Sequence, residues 1–135
     1  MQPSLLDTDI LSELLKLRNP AVRDKALAYT REHGLLAFSA ITRYEIIRGY
    51  KDRNAEQQLL RFTEFCQHAL ILPLSDAILD RAADLWVLAR RGGHPKGDAD
   101  LLIAATALEH QRSLVSGNVG HFAWIPGLDV TDWRT

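Results

Sequence analysis

Four acidic side chains stand in this chain where a fold could use them for chemistry. Asp7 follows the apolar run Ser4-Leu5-Leu6, Glu45 lies in "TRYEIIRGY", and Asp98 and Asp100 open "DADLLIAATALEH". Between Leu101 and Leu108 that last segment has Thr106 as its one polar residue. Ser116 and Asn118 follow another short apolar run. Each has an ordinary explanation. Asp7 and Asp98 suit helix N-caps, the second for a helix beginning at Ala99, and acids in a first turn gain about 0.3–1 kcal/mol from the helix dipole. Thr42-x-x-Glu45 fits a capping box, in which the glutamate reaches back to the cap's own amide. Asp9 is expected on another side of the helix from Asp7, in a solvated or supporting role.

Their joint presence implies more. Carboxylates gathered in one partly desolvated pocket raise one another's pKa, and a positive charge between them relieves this. An all-oxygen donor set suits a hard cation, Mg²⁺ or Mn²⁺. Cys66 is the lone cysteine and the five histidines are dispersed, so no zinc-like spacing competes; most of the histidines are expected at the surface or in packing. A divalent ion beside a phosphodiester makes water more acidic and stabilises the leaving oxygen, so hydrolysis of a nucleic-acid strand is the chemistry implied. Two basic groups flank the acids and are expected to touch substrate phosphates: Arg43, Arg48, Lys51 and Arg53, then Arg90, Arg91, His94 and Lys96. Tyr44 and Tyr50 are the nearest candidates for base stacking.

Acids so far apart in sequence need a scaffold that brings them together. "SLL" before Asp7 is a strand candidate, and Ile10, Leu11, Leu14, Leu15 and Leu17 recur at helical spacing after it. Asn19-Pro20 starts a second helix that Gly34 ends near His33. Leu35 to Ser39 is a second strand, followed by a helix from Thr42. Residues from about Ala55 to His68 form another helix, with Leu59, Leu60, Phe62, Phe65 and Cys66 on its apolar side. "ALILPL" is a third strand, stopped by Pro73. Ser75 caps a long helix with Ile78, Leu79, Ala82, Leu85, Trp86 and Ala89 in one stripe, closed by Gly92-Gly93. The helix after Asp98 is apolar nearly all round and therefore buried. Ser113 to Ser116 and Leu128 to Val130 complete the strands. Alternation of strands and helices predicts a parallel sheet of four to five strands covered on both faces, with function at the carboxyl edge.

The bounds agree with one compact domain spanning residues 1–135, because 47% of the 135 residues are hydrophobic. Sixteen basic and seventeen acidic side chains give a formal charge of −1, so binding of a polyanion has to come from a local patch. A single cysteine, no secretory pattern at the N-terminus and no run long enough to span a bilayer point to a cytoplasmic protein without membrane residence.

Four phrases, "LLDTDILSEL", "SAITRYEIIRGY", "DLLIAATALEHQRSLVSGNVGHF" and "IPGLDVTDW", together resemble the PIN-domain ribonucleases, in particular the VapC-type toxins of toxin–antitoxin pairs. The resemblance covers nearly the whole chain in the family's order. It implies a PIN-like three-layer α/β/α sandwich and a metal-dependent endoribonuclease. Asp7 matches the first metal-binding acid, Glu45 the glutamate of Ser/Thr-x-x-Glu-x-x-x-Gly ending at Gly49, and Asp100 the acid before the Ile-Ala-Ala phrase. Asp98 is then an auxiliary ligand or a cap. Ser116 matches a hydroxyl that helps hold the acidic cluster. Asn118 stands where members often carry a fourth acid, which weakens the case for a second tightly held ion. The resemblance further implies an RNA substrate, a homodimer, and a small VapB-like antitoxin whose tail covers the acidic groove. Two alternatives remain open: a non-catalytic RNA-binding or protein-interaction module with the acids kept as caps, and a phosphoacceptor receiver domain. The second wants a lysine at the end of its last strand, which "LDVTDW" lacks.

Overall fold

The structure, a computed structural model, describes residues 2–135. Five short strands, β1 (Ser4–Leu6), β2 (Ala37–Ser39), β3 (Leu70–Leu72), β4 (Ser113–Val115) and β5 (Val130–Thr131), form one sheet in the order β3-β2-β1-β4-β5. Every pairing is parallel. Helices α1 (Thr8–Lys16), α2 (Pro20–His33), α3 (Ala40–Asp52), α4 (Glu56–Cys66), α5 (Asp76–Arg91), α6 (Asp98–Glu109) and α7 (Val119–Phe122) cover it.

Strand side chains alternate between faces, and the core divides accordingly. Leu5, Ala37 and Leu114 point to one side, where Ile78, Ala82 and Leu85 of α5, Ile103 of α6 and Phe122 of α7 pack. Leu6, Phe38 and Val115 point to the other, against Ile10 of α1, Val22 of α2, Ile46 of α3 and Phe62 of α4. This is the expected α/β/α sandwich. α6 is buried over most of its length, as its nearly continuous apolar run requires. Among the described residues no helix is long and apolar enough to cross a membrane.

Several local expectations are corrected. The third helix starts at Ala40, with the Ser39 hydroxyl accepting the Ile41 N–H at 3.2 Å, rather than at Thr42. Ser39 is the first hydroxyl the chain offers as it leaves β2, so the helix begins two residues early. Thr42 is therefore buried inside it and no capping box forms. α6 starts at Asp98 with Gly97 as N-cap and no side-chain cap bond, so Asp98 caps nothing. On α5 only Ile78, Ala82, Leu85 and Ala89 are buried; Leu79 and Trp86 stay 46% and 44% exposed because they sit one position off that seam. Leu60 is likewise exposed on α4. α7 was not expected, and the last strand lies at Val130–Thr131 rather than Leu128–Val130.

Candidate functional site

Parallel register sets the site. Leu6 lies beside Phe38 and Val115, so the strands β1, β2 and β4 end within one residue of one another and the residues that follow emerge at one edge. The Asp7 N–H donates to Val115 O at 2.8 Å, which extends this alignment by one residue. Asp7 is the N-cap of α1, its Oδ1 accepting the Thr8 N–H at 2.8 Å. Its other oxygen, Oδ2, accepts the Ser116 hydroxyl at 2.8 Å. Ser116 Oγ in turn accepts the Asn118 N–H at 3.0 Å, which fixes the direction of its proton toward Asp7. Capping and site membership thus belong to the same carboxylate.

Asp7 is 7% exposed. Burial, then the neighbouring charge of Asp9, and more weakly that of Asp100, push its pKa up to about 6 against the opposing bonds from Ser116 and Thr8. Asp9 is also raised by burial, offset by the Gly117 N–H it accepts at 2.9 Å. Gly117 belongs there for steric reasons: a Cβ would stand 2.7 Å from both Asp9 Oδ2 and the Arg134 guanidinium. Arg134 donates to Gly117 O at 2.6 Å and to Asp132, so the C-terminal segment fastens the loop after β4.

Glu45 joins the edge through Thr8, whose Oγ1 lies 2.8 Å from Glu45 Oε1 and 3.0 Å from Thr42 Oγ1. The one Thr8 proton goes to the charged acceptor. Arg48 is 3.9 Å from the other Glu45 oxygen. Asp100 is held by His121, with Nε2 at 2.8 Å from Oδ2. Lys96 lies 3.4 Å from His121 Nδ1, and because an ammonium can only donate, the ring proton sits on Nε2 and points at Asp100. His121 and Thr8 are the participants that sequence reasoning missed. Thr8 could have been noticed as a hydroxyl adjoining Asp7; His121 carried no local signal, since α7 alone brings it to Asp100.

The other expected residues divide. Asp98 is exposed at the first turn of α6. Asn118 contributes its backbone N–H rather than its side chain. Arg48 lies over the Tyr44 ring as well as near Glu45, and Lys96 is turned to His121. Arg43 reaches toward Cys66, whose thiol is raised by burial and lowered in part by that guanidinium. Arg90 lies over Trp86, on α5, while Arg91 and Lys51 are exposed.

Among the described residues no three His, Cys, Asp or Glu side chains are already arranged to hold an ion. Thr8 engages Glu45 and His121 engages Asp100. The donor chemistry nonetheless fits a hard divalent cation. All candidate donors are oxygens, and the central one is buried with negative neighbours.

A family model described as PIN domain matches residues 4–123. "Ribonuclease VapC10" of Mycobacterium tuberculosis is 30% identical over 118 residues, covering 87% of this chain and 84% of its own. A solved structure of VapBC-1 from nontypeable Haemophilus influenzae superposes with a TM-score of 0.85 at 27% identity, covering 98% of each chain. A toxin-antitoxin complex from Klebsiella pneumoniae does so with a TM-score of 0.75, also at 27% identity, over 96% of this chain and 97% of the other. With its sheet order, its acidic edge and these likenesses together, the chain belongs to the PIN-domain family, and within it to the VapC group.

Proposed function

We propose that this protein is an endoribonuclease dependent on Mg²⁺ or Mn²⁺ and the toxin of a toxin–antitoxin pair. The observation that carries the reading is Asp7, a buried carboxylate at the edge where three parallel strands end, raised to about 6 and within reach of the charges of Asp9 and Asp100. Asp7, Glu45 and Asp100 would hold one ion, directly or through water, with Asp98, Ser116 and Asn118 supporting. A bound divalent ion would supply a more acidic water and offset charge on the leaving oxygen. The chain's own residues do the rest. Ser116 orients Asp7, Thr8 orients Glu45, and His121 keeps Asp100 turned to the edge. In-line attack of water on RNA leaves a 5′-phosphate and a 3′-hydroxyl.

The inhibitor in this reading is a small VapB-like antitoxin. An apolar groove between α1, α2 and α4, lined by Leu14, Leu17, Leu27 and Phe65 and about 440 Å³ in volume, offers a seat for its apolar residues. Leu17 and Leu27 in this lining are 78% and 50% exposed, so the groove presents an open apolar surface that a partner can cover. The chain would pair with a second copy and work in the cytoplasm as one PIN domain over its whole length.

The test is cleavage by the purified chain, without partner, of total RNA in the presence of Mg²⁺ or Mn²⁺, followed by mapping of the new ends. Asp7→Asn retains the fold and abolishes metal-dependent cleavage. Parent-like cleavage by that variant would refute the assignment, and absence of cleavage by the parent with either ion would favour the non-catalytic module.

A further inference from the structure

A second cleft includes Thr8 and Glu45 in its lining, and four of its lining side chains are cationic. Lys16 ends α1, Arg18 follows it, Arg53 caps α3 and Arg61 projects from α4, and all four line the same space of about 460 Å³. Among the described residues none of the four forms an ion pair. Glu45, the one acid in the lining, pairs with Arg48 instead. Arg53 lies over the Tyr50 ring at 5.4 Å, which positions its guanidinium without neutralising it.

Four cations without a carboxylate partner, drawn into one cleft from α1, the turn after it, the end of α3, and α4, repel one another in the isolated chain. In a protein whose formal charge is −1 they form a local positive field of the kind that collects an anion. Their spread from the end of α1 to α4 matches a ligand with repeated charges better than a single small anion. Tyr50 and Gln58 in the same lining add a ring face and an amide for bases.

We infer that Lys16, Arg18, Arg53 and Arg61 form a phosphate track that leads one strand of RNA to the acidic edge at Thr8 and Glu45. This rests on the ribonuclease reading for its direction, and it moves the backbone contacts away from Arg43, Arg90 and Arg91. The apolar groove shares Leu15, Tyr50, Gln58 and Arg61 with the cleft. Antitoxin and RNA would accordingly exclude each other at the track as well as at the acids.

The experiment measures binding of a short fluorescein-labelled single-stranded RNA by fluorescence anisotropy across a salt series, in the Asp7→Asn background so that the strand stays intact. Each phosphate of a single strand that goes without its cationic partner lowers the slope of log K against log salt by about 0.7, so Arg18→Ala/Arg53→Ala/Arg61→Ala should lower it by about 2. Affinity at low salt should fall by about tenfold or more. Arg81→Ala, on the opposite face of the sheet, should leave slope and affinity unchanged, and circular dichroism verifies that each variant is folded. Affinity within about twofold of the parent with an unchanged slope overturns the track. So does a triple variant that keeps its RNA affinity but loses binding to polyglutamate, which would make the occupant an acidic peptide. The two readings fail separately. If the parent cleaves no RNA yet its RNA binding depends on these cations, catalysis is wrong and the track stands; if RNA is cleaved and the slope is unmoved, the track alone is wrong.

Discussion

Asp7 caps a helix and, in the proposed function, holds an ion, and the two tasks place opposing demands on the energy. As an N-cap it satisfies a backbone donor of α1, but its burial and its acidic neighbours favour the neutral form. Its folded pKa of about 6 lies above the ordinary value of 3.8, so between those values the native state binds more protons than the unfolded chain. Stability of the ion-free protein should therefore decline as pH rises from about 4 to about 6, with a penalty on the order of 3 kcal/mol from this group above that window. Urea denaturation in EDTA at a series of pH values should show this decline, and Asp7→Asn should flatten it. A parent profile that is flat, or that rises, through the same window would contradict the burial argument. Divalent ion should reverse the penalty, raising the parent's midpoint above pH 6 and leaving that of Asp7→Asn in place. His121 acts on a different atom, fixing Asp100 through Nε2. By analogy with residues that orient metal ligands, His121→Ala should weaken the dependence of cleavage on Mg²⁺ by about 10–100-fold, seen as a rightward shift of the metal titration rather than loss of the plateau. His121→Asn, which keeps a donor, should recover part of it.

At the scale of elements, the site exists because short strands end within one residue of one another and helices begin at once. β1 passes directly through Asp7 into α1, and β2 passes through Ser39 into α3, so that Thr42 and Glu45 lie within the first two turns above the sheet edge. Ser39→Ala should cost about 0.5–2 kcal/mol, since it removes a buried hydroxyl and leaves the part-buried Ile41 N–H without its cap, and a shift in the urea midpoint would measure it. A null effect would mean that α3 is capped by something other than Ser39. The same junctions explain what was legible in the sequence. The strands, the helix starts at Asp7, Asn19 and Ser75, and the acids Asp7, Glu45 and Asp100 were visible because apolar runs and cap residues are local signals. Glu45's partner was not, because Thr42-x-x-Glu45 satisfies a local capping pattern while the actual contact, Thr8, is 37 positions away. Asp98 was misplaced as a cap for a related reason: an acid before a helix and an acid in its first turn look alike in sequence, and only the backbone separates them. His121 was lost altogether, since a four-residue helix with no stripe leaves no periodic trace.

The whole molecule presents three surfaces with different chemistry. The cationic cleft and the apolar groove involve α1 to α4, the opposite layer is α5, α6 and α7, and the acidic edge joins the two, with Asp7 and Glu45 from the first layer and Asp100 of α6 from the second. On that layer Leu79, Trp86 and Val87 of α5 are 46%, 44% and 36% exposed, with the Arg90 guanidinium 5.5 Å from the Trp86 ring. Leu79 and Trp86 are seven residues apart, two helical turns, so they stand on one stripe beside the seam that α5 makes with α6. An exposed tryptophan flanked by aliphatic side chains has the composition of an interface centre, and an arginine beside it has that of the rim. A second copy packing α5 against this stripe would cover it while leaving the acids of each chain open, because every acid of the proposed site comes from one chain. Sedimentation of the parent should therefore show a dimer, and Leu79→Glu/Trp86→Glu should convert it to a folded monomer by placing two charges where apolar surface was buried. Cleavage per chain should survive that conversion, measured on the same RNA at equal concentrations of chains. A parent that sediments as a monomer at micromolar concentration would remove α5 as a pairing surface. A monomeric double variant that has lost cleavage while circular dichroism shows it folded would mean that the partner copy completes the site, contrary to the one-chain origin of Asp7, Glu45 and Asp100.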